Sequence, residues 1–216
     1  MDGQVFSLLV VIRNPCRWPY GSLEADSRSP REGQSPDGLA CAPVADLLGP
    51  DDVGAAYRSN AASPCDGWLA AGSRIIGHKI GLTSAAVQRQ IGGDRPDFGV
   101  LFDDMRYRDG DEIPLGRLLQ PKAEAEVAFL LKRDIEDAVD PAAVRDAVAL
   151  AFPALEIVDS RIAHWRIGIT DTVADNASSG VLGPMAAVAE GDVFRADIAP
   201  LGTVTARFSG KEENEG

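Results

Sequence analysis

A chain of 216 residues can bury a real core, and one domain is the simplest organisation. Its formal charge of -12, with no basic stripe anywhere, excludes a nucleic-acid partner, because phosphate binding needs clustered Lys and Arg. The 3 cysteines, Cys16, Cys41 and Cys65, lie far apart without paired spacing, which excludes a disulfide framework or zinc knuckle and points to a reducing cytoplasm.

In chain order, the apolar run "VFSLLVVI" near the N-terminus lacks a preceding basic region and a cleavage site. It is also too short to span a bilayer, so neither an export signal nor a membrane span is expected. Residues 21–38, "GSLEADSRSPREGQSPDG", have a linker composition, so residues 1–39 are expected to form a flexible segment ahead of a domain spanning 40–216. Asp51 and Asp52 are placed to cap a short helix carrying Val53, Ala56 and Tyr57. "SRIIGHKIGL" reads as a buried strand. "TSAAVQRQIGG" reads as a short helix capped by Thr83 or Ser84 and stopped at Gly92 or Gly93. "QPKAEAEVAFLLKRD", from Gln120 to Asp134, is patterned to enter a core. In "DPAAVRDAVALAF", Asp140 caps a helix with Pro141 in its first position and Val144, Ala147, Val148 and Ala151 at helical spacing. "FPALEIVDSRI" is a further apolar strand, "DTVADNASSG" a polar active-site loop or an ordinary capped turn, and "GDVFRADIAPLGTVTARF" a hairpin or two adjacent strands. The sum is an α+β chain, mainly β, with a few short helices.

The chemistry is suggested by Glu124 and Glu126. Side chains alternate along a strand, so these two carboxylates share one face while Ala125 and Val127 take the other. Adjacent half-buried anions are costly unless a cation lies between them. Glu156 supplies a third carboxylate from a second strand, with Asp159 on the opposite face; three carboxylates suit a hard cation such as Mg²⁺ or Mn²⁺. Spacing alone equally allows a solvated, salt-bridged strand face. Lys79, between Ile76 and Ile80, is expected to be partly buried, with a lowered pKa and an acid/base role, or else to be a snorkelling strand lysine. His78 would face the other way, and Asp97 in "RPDFG" reads by itself as a turn aspartate.

Taken together, "GHKIGLTSAAVQRQIGGDRPDFGVLFDDM", "QPKAEAEVAFLL", "ALEIVDSRI" and "DTVADNASSG" resemble the 2-keto-4-pentenoate hydratase family of the fumarylacetoacetate hydrolase superfamily, over about Cys41 to Phe208. The resemblance implies the mixed β-sandwich or roll of the fumarylacetoacetase C-terminal domain, with short peripheral helices. It implies Glu124, Glu126 and Glu156 as ligands of Mg²⁺ or Mn²⁺, Lys79 and Asp97 as acid/base residues, and Ser178 or Ser179 as a contact for substrate or water. The implied reaction adds water to 2-hydroxypenta-2,4-dienoate-type acids, giving 4-hydroxy-2-oxo acids in the breakdown of aromatic compounds. Related decarboxylases and acylpyruvate hydrolases share the metal site. The implied partners are a 2-hydroxydienoate or 2-oxo acid, further copies of the chain, and a related decarboxylase.

The pattern departs from the family after Gly180. There the family continues through further strands, a hairpin and a helix, whereas here Gly180 leads straight into "VLGPMAAVAEGDVF". Residues before Cys41 and the stretch "RSNAASPCDGW" also lack the resemblance. Missing internal strands would expose unpaired edges, so a less stable, poorly active chain is expected, or a non-catalytic partner subunit.

Overall fold

The structure, a computed structural model, describes residues 9–12, 39–60, 69, 72–135, 140–181 and 188–210. Its frame is a six-stranded sheet in the order β3 (Asp97–Phe102), β2 (Ile75–Gly81), β1 (Leu9–Ile12), β5 (Pro121–Leu131), β6 (Val148–Asp159), β7 (Ser179–Val181). A second sheet orders β4 (Glu112–Pro114), β9 (Gly202–Ser209) and β8 (Val193–Ile198). The architecture is therefore mixed α/β and mostly strand, as the sequence leads one to expect. Among the described residues, no helix is long and apolar enough to cross a membrane.

β5 and β6 are the long antiparallel pair at the heart of the larger sheet, in register from Pro121↔Asp159 to Leu130↔Leu150. Their period-two pattern sorts side chains between two environments. Ala123 of β5 and Leu155 and Ile157 of β6 point into an apolar core shared with Ile113, Ala196, Ala206 and Phe208 of the three-stranded sheet. Ala128 and Ala154 lie on the other face, in a second cluster with Ile76, Leu101, Phe102 and Met105. The terminal hairpin forms as read, β8 pairing with β9 from Val193↔Arg207 to Ile198↔Gly202.

β1 sits between β2 and β5, antiparallel to the first and parallel to the second. Four residues of the segment 1–39 thus belong to the sheet, inside the region that composition alone sets apart from the domain. The linker-like stretch 21–38 and most of "RSNAASPCDGW" lie outside the described residues.

Among the described residues, five short helices with both ends described surround this frame: α1 (Ala45–Leu48), α2 (Val53–Asn60), α3 (Ala85–Gln90), α4 (Pro141–Ala147) and α5 (Ile169–Ala174). Their caps are local and legible. Asp52 Oδ1 accepts from Ala55 N at 2.8 Å, Ser84 Oγ from Val87 N at 3.3 Å, and Asp140 Oδ1 from Ala142 N and Ala143 N, each at 2.8 Å. One expectation is corrected. The helix after Asp140 ends at Ala147, and Val148 and Ala151 belong to β6, where they pair with Leu131 and Phe129. A run such as "AVALAF" fits either period, and the partner strand decides. "DTVADNASSG" is also more ordered than a loop or turn: it supplies α5 from Asp171, a single 3-10 turn at Asn176–Ser178, and β7.

Candidate metal centre and acid-base site

Glu124 and Glu126 rise from the same face of β5, and Glu156 lies directly across from Glu124 on β6. The three carboxylates each offer an oxygen within 4.8 Å of the others. Glu126 and Glu156 are buried, and beyond them the floor is the apolar cluster around Ala128 and Ala154. In that low-dielectric setting the anionic forms are disfavoured. Burial, reinforced by the charges of Glu156 and Glu124, pushes Glu126 up to about 9. Burial likewise lifts Glu156 to about 7, against the opposing pull of Lys79, with Glu124 pushing upward. Glu124 is raised by burial too, although Lys79 and Lys122 offset part of the effect.

Lys79 comes from β2 and is only 2% exposed, and its Nζ donates to Glu156 Oε1 at 2.5 Å. This corrects the expectation of a partly buried lysine with a lowered pKa. Burial alone would lower it, but the surrounding charges of Glu156, Asp97 and Glu124 outweigh that, and Lys79 is held above its ordinary value as a cation. It is neither a snorkelling residue nor a neutral base. His78, next along the strand, is exposed, as alternation requires.

Asp97 opens β3 opposite Gly81 and is 1% exposed. Burial raises its pKa, while Lys79 and Thr172 pull it down. Thr172 Oγ1 donates to Asp97 Oδ2 at 3.1 Å, whereas Oδ1 has no hydrogen-bond partner among the described residues. The other such orphan is Glu126 Oε2. Two unpartnered buried carboxylate oxygens are expensive in a folded protein, and they offer lone pairs that a cation, a ligand or water can use. The donor set is all oxygen, anionic and compact, so Glu124, Glu126 and Glu156 fit a hard divalent cation.

The two serines divide. Ser178 Oγ donates to Asp175 Oδ2 at 3.2 Å, a contact within the backbone turn. Ser179 Oγ donates to Asn176 O at 2.6 Å and lies beside Gly99, the residue paired with Lys79. A Cβ on Gly99 would come 2.6 Å from Asn176 O, 2.7 Å from Ser179 Oγ and 3.1 Å from Lys79 Cγ, so only glycine fits there.

Sequence reasoning missed the groups that hold this site in place. Asn176, wholly buried, accepts from Val100 N at 2.8 Å and donates to Val100 O at 2.9 Å, gripping β3 one residue beyond Gly99. It begins three successive non-glycine residues with positive φ, Asn176, Ala177 and Ser178. Such strained backbone persists only where its surroundings over-determine it. Arg161 supplies the constraint, with its guanidinium on Asp175 Oδ1, on Asp175 O and, at 3.0 Å, on Ser179 O. Asp171 Oδ1 accepts from Val44 N and Ala45 N at 2.7 and 2.9 Å, tying α5 to α1. Asp159 accepts from Leu119 N and Gln120 N, so it fixes the entry to β5 and stays off the metal face. The crowding of Asp, Asn and Ser in "DTVADNASSG" is the signal that points to Asp171, Asp175 and Asn176, whereas Asp159 and Arg161 lie in "ALEIVDSRI".

No family model matches the chain. It is 51% identical over 145 residues to the TodF product hydratase of Pseudomonas putida, covering 67% of this chain and 54% of that relative. It is also 51% identical over 146 residues to 2-keto-4-pentenoate hydratase 1 of Dechloromonas aromatica, covering 67% and 55%. A 2-hydroxypent-2,4-dienoate hydratase of Pseudomonas putida is 52% identical over 122 residues, covering 55% of each chain. The chain thus spans about half the length of the curated relatives it matches. Among solved structures, the 4-oxalocrotonate decarboxylase of Pseudomonas putida G7, complexed with magnesium and adipate, superposes with a TM-score of 0.72 at 23% identity. That match covers 80% of this chain and 92% of the other, and at this identity it speaks for the fold alone.

Proposed function

From relatives near 51% identity, each matched over about half its length, we propose that the chain belongs to the 2-keto-4-pentenoate hydratase family and is a divalent-metal-dependent hydro-lyase. Its substrates would be acids of the 2-hydroxypenta-2,4-dienoate type, converted to 4-hydroxy-2-oxo acids in aromatic-compound breakdown. The observation that carries the reading is the convergence of Glu124, Glu126 and Glu156 beside Lys79, with Glu126 Oε2 left unpartnered.

Glu124, Glu126 and Glu156 would hold Mg²⁺ or Mn²⁺. When bound, the ion supplies Lewis acidity toward the 2-oxygen and carboxylate of the substrate. Lys79 holds a proton at Nζ next to Glu156 and can give it to a substrate carbon or oxygen. Once the 2-hydroxyl proton has been lost and C5 protonated to give the α,β-unsaturated ketone, Asp97, whose Oδ1 has no partner among the described residues while Thr172 fixes Oδ2, is suited to take a proton from water as the hydroxyl adds to C4 and a proton is returned to C3. Ser179 flanks this space across Gly99, and Ser178 supports the turn that carries it.

The hydratase reading is favoured over a decarboxylase because relatives near 51% identity are named hydratases, whereas the decarboxylase likeness is one of fold. The fumarylacetoacetase-like roll, self-association, association with a decarboxylase and a cytoplasmic setting belong to the same proposal. The separated cysteines favour that setting, and Cys41 is a free thiol. The test is ultraviolet loss of 2-hydroxypenta-2,4-dienoate with Mg²⁺ and with chelator, with products identified by NMR and oxalocrotonate run in parallel. Metal-dependent formation of a 4-hydroxy-2-oxo acid is expected. Undiminished turnover in chelator would overturn the metal centre, and release of carbon dioxide from oxalocrotonate without hydration of the dienoate would overturn the reaction.

A further inference from the structure

Lys122 shares the β5 face of Glu124 and Glu126 by alternation, one pleat repeat from Glu124, or about 6.8 Å along the strand. Its Nζ lies 3.8 Å from the centroid of the Trp165 ring. The ring is itself fixed: Trp165 Nε1 donates to Gln120 O at 3.0 Å, and Gln120 Oε1 accepts from His164 N at 2.8 Å. Both His164 and Trp165 adopt positive φ, 59° and 55°, a conformation that bulky residues seldom take without tertiary compulsion. Among the described residues no carboxylate lies within ion-pair distance of Lys122 Nζ. Its positive charge nevertheless acts on Glu124.

An immobilised ammonium with unused donors, at the edge of an anionic cluster, is unusual. The lysine next to the cluster's centre, Lys79, is already committed to Glu156. Three glutamates, a divalent cation and Lys79 sum to no net charge, so the cluster by itself offers an incoming anion little attraction. Asp97 tips the balance further against it. A second fixed cation on the same face changes that sum.

We propose that Lys122, seated on Trp165, is the anchor for the carboxylate of the substrate, so that the site accepts 2-oxo and 2-hydroxy-2-enoic acids and rejects the corresponding uncharged ketones. This rests on the metal-centre reading for the place of the 2-oxygen, but the lysine and the metal can be tested apart. Lys122 is half-buried, so Lys122→Met keeps an apolar stem of similar length and removes the charge.

The experiment titrates wild type, Lys122→Met and Trp165→Phe with pyruvate, following tryptophan emission with and without saturating Mg²⁺. Trp165→Phe identifies the signal of that ring and retains an aromatic face. A parallel calorimetric titration measures Mg²⁺ alone. Pyruvate should quench Trp165 in the wild type and bind Lys122→Met about ten- to a hundredfold more weakly, the loss expected for one charge-assisted hydrogen bond. Mg²⁺ affinity should stay equal or rise slightly in the variant, because a positive neighbour of Glu124 has gone. Acetone should bind neither protein. Equal pyruvate affinity in wild type and Lys122→Met, no pyruvate binding to the wild type, or loss of Mg²⁺ affinity in step with pyruvate would each overturn the anchor. Failure of Mg²⁺ to bind the wild type would instead overturn the metal centre, and the metal-free pyruvate arm would still decide Lys122.

Discussion

β5 and β6 present two unlike faces through one register. On one side Ala123, Leu155 and Ile157 are buried against Ile113, Ala206 and Phe208. On the other, Glu124, Glu126 and Glu156 crowd together, with Lys79 paired to Glu156. The apolar face stabilises the fold whether or not a ligand is present, because hydrophobic burial needs no partner from solution. The acidic face opposes folding until something positive joins it. The shared backbone explains how such a cluster can be tolerated: the strands are held from behind.

The most damaging change should be Lys79→Met. Turnover should fall by about 10²–10⁴-fold, as for other acid/base residues. Removing one partner of a buried ion pair should also lower the stability of the metal-free chain by roughly 3–5 kcal/mol. The cost should be greatest above pH 7, because Glu156, pushed up to about 7, can shed its charge below that. Urea unfolding at pH 6 and pH 8, alongside dienoate turnover, checks both parts. Equal stability of the variant and wild type at pH 8 would mean that the acidic face is already relieved by solvent.

From the opposite face, Ile157→Ala should destabilise by about 2–5 kcal/mol, as for other buried aliphatic truncations. Its Mg²⁺ dissociation constant, measured by calorimetry under folded conditions, should stay within a few-fold of the wild type. If metal binding and stability fell together, the two faces would not be separable.

pH should expose the acidic face alone. Glu126 has a folded-state pKa raised from 4.5 to about 9, so its contribution is present below 4.5 and is lost as pH rises through 9. In metal-free wild type the unfolding free energy should therefore fall across this window by at most about 1.4 kcal/mol per pH unit from this group. Glu126→Gln should flatten that slope while weakening Mg²⁺ binding and turnover. Saturating Mg²⁺ should reverse the slope in wild type, since the ion binds the deprotonated form. Chemical denaturation at several pH values, with chelator and with Mg²⁺, reads all three curves.

The sequence shows these faces unequally. Glu124 and Glu126 could be paired in advance because strand alternation is local, and Glu156 fell on the matching face of a second apolar run. Lys79 could be found but not its environment: its burial comes from β1 and β3 on either side and its charge state from Glu156, all distant in sequence. α4 was read too long because Val148 and Ala151 suit a helix as well as a strand until Leu131 and Phe129 pair with them. "DTVADNASSG" allows either a polar active-site loop or an ordinary capped turn, because Asp, Asn and Ser serve in both. Here Asp171, Thr172, Asp175 and Asn176 all point inward, to Val44, Asp97, Arg161 and Val100.

The finest test of the comparison lies at the edge of the acidic face, in Thr172→Val. The two side chains have nearly the same shape, but valine leaves Asp97 Oδ2 without the 3.1 Å hydrogen bond from Thr172. The loss should cost stability only about 1 kcal/mol, the net worth of an ordinary hydrogen bond. Its effect on titration is larger in kind. Burial already raises Asp97, and the Thr172 hydrogen bond is one of the influences holding it down. Removing that bond must raise the pKa further, so the ionised form capable of taking a proton appears only at higher pH. The acid limb of the kcat/KM profile should therefore move to higher pH in Thr172→Val, with the plateau little changed. Thr172→Ser, which keeps the donor, should restore the limb. A uniform fall in rate without displacement of the limb would make Thr172 a packing residue of α5 and would take Asp97 out of the proton transfer.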